Sequence, residues 1–329
     1  MSINRLIWID ALRGFLIIFV VLGHSLQFGD FENRISWNII YSFHMAAFFM
    51  ISGYCGYKEI FKLSSLKQKA QQLLLPFITW SALAVLIKGY KCNYLYEIIL
   101  KPDSSYWFIF VLFFIIALFI LACTKFDNQV CRSIELRDII LLLIILLLIS
   151  IMVFTEFRLF GFQFFALYFG FYVYGYWIRK FHVKYKIIWI VSLGILWFIL
   201  ALFWKMHEVP APLANISFIP ASLITYTYRY VTAFIGALFF MGFAMNFMNN
   251  RNNISIKFLC KLGQISLGIY IIHIFIGQYV SYIFTIIFNS NVSIPFILSD
   301  FTTRLFLSIG VVGIIQRIPV VRLFLLGKK

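Results

Sequence analysis

Three ionisable side chains interrupt the first long apolar stretch of the chain, residues 6–27. They are Asp10, Arg13 and His24. An imidazole has an unperturbed pKa near neutrality, so His24 could act as a general base or as a nucleophile. A guanidinium such as Arg13 can hold a phosphate or stabilise negative charge that develops during a reaction. Because such groups are costly inside a spanning helix unless they face a partner or a wet cavity, this stretch is the first candidate for chemistry.

The spacing of these residues predicts one polar helical face. A helix advances about 100° per residue, so the interval from Arg13 to His24 is roughly three turns and about 16 Å along the axis. Asp10 precedes Arg13 by three residues, the spacing at which opposite charges meet on a helix. The spacing alone leaves a second interpretation open, in which these side chains only pack inside a helix bundle.

Composition predicts an integral membrane protein. The chain has 329 residues, of which 63% are hydrophobic and 12% are charged, which excludes an ordinary soluble domain. Its net charge of +16 lies in short loops and not in a soluble reader domain, so no nucleic-acid partner is expected. The five cysteines show neither a Cys-x-x-Cys pair nor a metal spacing, so no metal site is predicted.

Apolar runs long enough to span a bilayer predict ten transmembrane helices in one bundle. We therefore expect an all-α, polytopic fold with a single transmembrane domain over residues 1–329 and no separate soluble domain. The ten predicted segments are 6–27, 35–57, 73–90, 105–123, 138–155, 160–178, 187–204, 225–248, 263–287 and 303–324.

The distribution of Lys and Arg between alternate loops predicts the orientation. One side, which includes both termini, carries eighteen of these residues, and the other carries seven, among them Arg304. The excess of positive charge predicts that both termini are cytoplasmic. Arg13 would then lie in the inner half of the membrane and His24 close to its outer surface.

Several motifs resemble those of the membrane-bound acyltransferase-3 family. Residues 10–14 read Asp-x-x-Arg-Gly, and ten residues separate the Arg from His24, as in the family's opening signature. The apolar run before this His is most similar to the sugar O-acetylase branch, of the fucose 4-O-acetylase type. Residues 43–54 resemble a second family segment, with Ala46 where Pro is usual. Residues 262–273 resemble a late family element of the form Leu-Gly-x-x-Ser-x-x-Ile-Tyr-x-x-His.

The resemblance implies an enzyme of the bacterial inner membrane. It would be an O-acyltransferase that moves an acyl group, acetyl from acetyl-CoA, to a hydroxyl of an extracytoplasmic or lipid-linked carbohydrate. His24 would be the general base or a transient acyl carrier, and Arg13, held by Asp10, would position the donor or stabilise charge on the thioester oxygen. The implied partners are acyl-CoA, the carbohydrate acceptor and the lipid bilayer. A homo-oligomer is left open.

The remaining candidate residues are assigned to substrate binding. Each also has an ordinary role as a packing residue or an interfacial anchor. The basic segment 67–77 is weaker than in the family, because Gln71 and Gln72 stand where Lys or Arg is common. The candidates are His44, Ser52, Lys69, Trp107, Arg229, Ser266, Tyr270 and His273.

Two rival functions fit the same polar face. A membrane transporter or flippase could use Asp10, Arg13 and His24 as a substrate or proton path. The chain shows no internal repeat of the kind many transporters have, which counts against that alternative. A structural subunit of a polysaccharide assembly complex is the other rival, and it predicts that His24 is dispensable.

Overall fold

Helices form nearly all of the regular structure in the described part of the chain. The computed structural model describes residues 6–27, 34–88, 100, 106–125, 130–131, 134–155, 157, 159–216, 218–250, 252–289 and 292–328. In chain order the helices are α1 (Ile7–Gln27), α2 (Ile35–Tyr41), α3 (His44–Gly56), α4 (Ser65–Lys88), α5 (Trp107–Lys125), α6 (Leu136–Phe154), α7 (Phe162–Lys180), α8 (Ile187–Leu202), α9 (Ala221–Phe247), α10 (Ile254–Gln264), α11 (Ser266–Ile287), α12 (Ile294–Arg317) and α13 (Pro319–Leu326). Two-residue strands, β1 (Val130–Cys131) and β2 (Ile134–Glu135), pair antiparallel between α5 and α6.

The predicted all-α polytopic membrane fold is confirmed. Each of the ten predicted segments contains helix, and among the described residues eight helices are long and apolar enough to cross a membrane, with α2 and α3 taken together as one span. The other two segments correspond to α7 and α8. Helix α8 is apolar but has only 16 residues, and α7 carries four tyrosines along its 19 residues, which make it less apolar.

Several helix boundaries differ from those predicted. Helix α4 starts at Ser65 and not at residue 73, because the intervening Lys, Gln and Ala residues favour helix although they are not apolar. Helix α12 starts at Ile294 and not at residue 303, and it continues through charged residues that ended the apolar run. The second and ninth segments are each broken, at Ser42 and at Ile265 respectively.

The chain divides into two compact units. The first comprises Met1–Ile51 and Val183–Gly313, and the second comprises Ser52–His182 and Ile314–Lys329. The first unit contains the candidate residues of α1, α9 and α11. That the chain forms a single domain over its whole length stays a prediction.

Helix α1 packs against α10 at backbone contact distance in the first unit. A Cβ atom at Gly14 would lie 1.9 Å from the carbonyl oxygen of Leu259, and one at Gly263 would lie 1.8 Å from the carbonyl oxygen of Asp10. Two glycines thus allow the close approach of helices that is common in membrane bundles. This contact fixes the Asp10 end of α1.

Aromatic packing and one charged cluster organise the second unit. The ring of Phe119 on α5 packs against Tyr172 and Tyr176 of α7, with ring centroids 5.1 and 5.0 Å apart. A Cβ atom at Gly53 would lie 1.8 Å from the carbonyl oxygen of Tyr172, so α3 meets α7 through its backbone.

The charged cluster, which we call the Asp138 cluster, consists of Glu135, Arg137, Asp138, Trp177 and Lys180. The Lys180 ammonium pairs with both carboxylates, at 2.9 Å from the Oε2 atom of Glu135. The guanidinium of Arg137 also pairs with Glu135, and the indole N–H of Trp177 donates to Asp138 Oδ1 at 2.8 Å. Burial alone would raise the pKa of Glu135, but the hydrogen bond from Lys180 and the charge of Arg137 lower it overall. The cluster joins the start of α6 to the end of α7.

Candidate active site

Helix α1 carries all three residues of the predicted polar face without a break. Asp10 lies in its first turns and is buried, Arg13 is half-buried, and His24 lies in the last turn. The side-chain amide of Gln264 donates to Asp10 Oδ2 at 3.4 Å, so α10 holds the Asp10 end. The rise of a continuous helix separates Arg13 from His24 by about 16 Å. The pairing of Asp10 with Arg13 stays a prediction.

The orientation of the His24 ring determines which nitrogen can act as a base. Its Nδ1 lies 2.8 Å from the Oε1 atom of Gln27, one turn further along α1. An amide oxygen only accepts hydrogen bonds, so Nδ1 carries the hydrogen and donates it. In the neutral ring Nε2 then holds a lone pair, as a general base or nucleophile requires.

A second imidazole, that of His273 on α11, lies beside His24. The two ring centroids are 5.2 Å apart and the rings are tilted by 49°. His273 is fully buried, and its Nδ1 donates to the carbonyl oxygen of Ile269 at 2.9 Å. Its Nε2 is buried and has no hydrogen-bond partner among the residues that the structure describes. The structure thus brings together two histidines that the sequence separates by about 250 positions.

A buried ion pair on α12 lies close to the two imidazoles. The Nε atom of Arg304 is 2.7 Å from Asp300 Oδ2, and both side chains are nearly inaccessible. Ser281 of α11 donates to Asp300 Oδ1 at 2.7 Å and accepts a hydrogen bond from the Arg304 guanidinium. Arg304 interacts electrostatically with both His24 and His273. We call Ser281, Asp300 and Arg304 the Arg304 cluster.

The sequence-based assignment of Arg304 was wrong. It was counted with the cations of the outer loops, whereas the structure places it inside α12 with 2% of its side chain exposed. The sequence did contain a signal, since Asp300 and Arg304 have the i, i+4 spacing of a helical ion pair. Gln27 and Ser281 were missed as well, because side chains of these types have no distinctive pattern until their partners are known.

His44, the first residue of α3, also lies in the first unit. Its Nδ1 donates to the carbonyl oxygen of Ile40 at 2.6 Å. Its ring packs edge-on against Tyr41, with centroids 5.1 Å apart, and it interacts electrostatically with His24. His44 is therefore near His24, and its described ring contacts are with aromatic side chains.

Three other predicted residues of the first unit make local contacts. Tyr270 is buried with its ring 5.9 Å from that of His273, so it borders the imidazole pair. Ser266 donates to the carbonyl oxygen of Gly263 at 2.9 Å, across the break between α10 and α11. Arg229 donates to the carbonyl oxygen of Met206 at 3.0 Å, which ties α9 to the segment before it.

The second unit contains the other three predicted residues. Trp107 stacks on Phe164 and Tyr168, with centroids 4.4 and 5.6 Å away. Lys69 is half-buried on α4, and Ser52 precedes the glycine at which α3 meets α7. A role in substrate binding stays a prediction for each of them. In the described part of the chain, no group of three His, Cys, Asp or Glu side chains is arranged to hold a metal ion.

Comparison with known families decides the class of protein. The family model described as an acyltransferase domain, Acyl_transf_3, matches residues 6–315 of this chain. The chain belongs to this family. The match includes His24, His273 and the Arg304 cluster, so the whole constellation lies within the acyltransferase domain.

Two curated relatives are nodulation proteins named NolL. The one from Sinorhizobium fredii is 40% identical over 89 residues, which are 24% of each chain. The one from Mesorhizobium japonicum is 31% identical over 126 residues, which are 33% of this chain and 34% of the relative. The matched regions thus span about a quarter and a third of these relatives. No solved structure matches the chain.

Proposed function

We propose that this protein is an integral membrane O-acyltransferase that moves acetyl from acetyl-CoA to a hydroxyl of an extracytoplasmic or lipid-linked carbohydrate. The observation that carries the proposal is the His24 ring, whose Nε2 holds a lone pair at the end of a membrane-length helix in an acyltransferase domain. The sugar O-acetylase branch and the bacterial inner membrane belong to the same proposal. They rest on the sequence motifs, because the nodulation relatives support the family and not that branch.

The geometry favours a reaction near the end of α1. His24 Nε2 can take the proton of an attacking hydroxyl or can itself attack the thioester. Either route develops negative charge on the thioester carbonyl oxygen. The buried Arg304 charge, which already interacts with His24, would stabilise that oxygen in a site of low polarity. Arg13 would hold the donor about 16 Å away, toward the predicted cytoplasmic side.

A transport function is the competing proposal. It would use the same ionisable residues and would move its substrate unchanged. The break between α10 and α11 is a discontinuity of the kind transporters use at binding sites. Here, however, Ser266 bonds across the break, and α10 lies against α1 at the backbone. These contacts favour a structural role for the break.

Transfer of label from radiolabelled acetyl-CoA to envelope carbohydrate tests the proposal. Membranes containing the wild type should label carbohydrate, and His24→Ala at equal protein amount should lower the rate by about 1,000-fold, within the range for loss of a positioned base. His182→Asn is the control, because His182 is exposed and its φ of 50° suits Asn. Equal labelling by wild type and His24→Ala would remove His24 from the mechanism, and no labelling at all would favour the transporter.

A further inference from the structure

The buried Nε2 atom of His273 has no structural explanation so far. It is fully inaccessible and makes no hydrogen bond within the described chain, although its ring is held in place through Nδ1. Buried polar atoms are almost always satisfied, because an unsatisfied one loses its hydration without compensation. An orphan lone pair next to a candidate catalytic histidine is therefore a feature that calls for a ligand or a proton.

We propose that His273 is a second catalytic base, which takes the proton of the acceptor hydroxyl after His24 has received the acyl group. The inference rests on the proposed function and adds to it. It commits the reaction to two steps with an acyl-imidazole on His24, one of the two routes that the sequence left open. It also assigns a reacting role to a residue otherwise expected to bind substrate or to brace the bundle.

The first step uses the lone pair of His24. Its Nε2 attacks the carbonyl carbon of the thioester, a C–N bond forms, and the C–S bond breaks with its electron pair leaving on the CoA thiolate. Nδ1 keeps its hydrogen and its hydrogen bond to the amide oxygen of Gln27, so the acylated ring carries the positive charge that balances the thiolate. The acylated Nε2 now has no lone pair for a proton. His24 therefore cannot deprotonate the acceptor in the second step, and that step needs another base.

His273 Nε2 fits the requirements of that second base. It takes the hydroxyl proton while the hydroxyl oxygen bonds to the acyl carbon, and the C–N bond breaks with its electron pair returning to His24. The protonated His273 then gives its proton to the thiolate, so that thioester and alcohol become ester and thiol. With their centroids 5.2 Å apart, the two rings are close enough for both to contact one acyl group, and the hydrogen bond to Ile269 leaves Nε2 as the basic atom.

The neighbouring polar groups fit this role less well. The ring of His44 packs against Tyr41 and Phe43, and the phenol of Tyr270 is a hydrogen-bond donor and weak acid rather than a base. Arg304 is a permanent cation and cannot accept a proton. Its charge near both imidazoles suits it to the oxyanion that forms in each step.

The test measures label on the protein as well as on carbohydrate. Membranes with tagged full-length protein receive radiolabelled acetyl-CoA for seconds, and the protein is then captured at neutral pH and counted. His273→Asn removes the lone pair while its amide can still donate to Ile269. We expect it to transfer label to carbohydrate about 100-fold more slowly than the wild type. It should accumulate up to one acetyl group per chain, with a matching burst of free thiol.

Hydroxylamine separates a missing base from a disturbed fold. Hydroxylamine is a strong nucleophile that needs no base. It should therefore remove the acetyl group from acylated His273→Asn about as fast as it removes the acetyl group from the acylated wild type. His273→Gln, which fills more of the ring's volume, should behave in the same way. The label should be absent when His24→Ala is added. His182→Asn is the control, because it replaces an exposed imidazole that has no assigned role in the site, and it should trap no label.

The alternative outcomes overturn the inference in distinguishable ways. Unchanged carbohydrate labelling by His273→Asn would show that His273 is not the base. Slow labelling without protein-bound acetyl, without a thiol burst and without rescue by hydroxylamine would show a structural role. A wild type that labels no carbohydrate would instead overturn the proposed function, and this inference with it.

Discussion

The two units contain charged clusters of different character. In the Asp138 cluster of the second unit, both carboxylates accept bonds from cations or from the indole of Trp177. In the first unit, the Arg304 cluster is likewise an ion pair with a serine, but it stands near two imidazoles, and the Nε2 of His273 lacks a partner in the described chain. Paired charges can join helices with no further role, whereas a buried basic nitrogen without a partner needs an explanation of its own. The comparison therefore supports a structural role for one cluster and the proposed reactive role for the surroundings of the other.

The largest effect is expected when a single member of the Arg304 cluster is removed. Arg304→Gln would leave the Asp300 carboxylate buried without its cation, which costs about 3–5 kcal/mol. The matched Arg137→Gln should cost less, because Glu135 keeps Lys180 and has 40% of its side chain exposed. Thermal unfolding of both variants in detergent measures the difference. If both variants lost the same stability, the greater burial of Asp300 compared with Glu135 would not matter for the cost of removing the paired cation.

Neutral double variants separate stability from chemistry. Asp300→Asn with Arg304→Gln removes both charges and should restore much of the stability, yet acetyl transfer should fall by about 100-fold, as when an oxyanion donor is lost. The matched double variant in the second unit, Asp138→Asn with Lys180→Gln, also removes both charges. It should leave the rate of acetyl transfer within a few-fold of the wild type. Initial rates at equal folded protein check both. If the second double variant also lost 100-fold, the assignment of roles would be wrong.

Sequence patterns predicted the helices of this chain better than their partners. Hydrophobic length located all ten segments, and spacing placed Asp10, Arg13 and His24 on one helix. The i, i+4 and i+7 spacing of Ser266, Tyr270 and His273 puts three polar groups on one helical face, and such a face in a membrane favours partners on α1. His273 does lie beside His24. Neither hydrophobic length nor spacing, however, predicts the distance between the two rings.

The main error in the sequence-based interpretation concerns Arg304, and it arises from counting charged residues by loop. Counting cations by loop assigned Arg304 to an outer loop, because a charged residue near the end of an apolar run is normally interfacial. The structure shows that a buried carboxylate four residues earlier compensates it. Charged pairs at helical spacing should therefore extend a predicted span. The start of α4 at Ser65 differs for another reason, since polar residues of high helix propensity continue the helix beyond its apolar part.

A smaller effect is expected from the residue that orients His24. Gln27→Ala removes the acceptor for Nδ1–H, so the neutral ring can carry its hydrogen on either nitrogen and Nε2 is available for part of the time. We expect acetyl transfer to fall by about 5-fold, since one hydrogen bond between neutral groups is worth roughly 1 kcal/mol. Gln27→Glu keeps an acceptor and should retain more activity than the Ala variant. The ratio of the initial rates of Gln27→Glu and Gln27→Ala measures the contribution of the acceptor. A ratio of one would exclude an orienting role for Gln27.

The smallest effect concerns how Arg304 fits against α11. A Cβ atom at Gly277 would lie 2.6 Å from the Nη1 atom of Arg304, the end of a flexible side chain that can shift. Gly277→Ala should therefore leave the fold intact and displace the guanidinium slightly, lowering acetyl transfer by about threefold, since small displacements of charge weaken electrostatic stabilisation. Gly310→Ala on α12 has nothing within 4 Å of its new Cβ and serves as the control. Rates are compared at equal protein amount. If both variants matched the wild type, the position of the Arg304 charge would matter less than its presence, and the double variant of the Arg304 cluster would then measure its whole contribution.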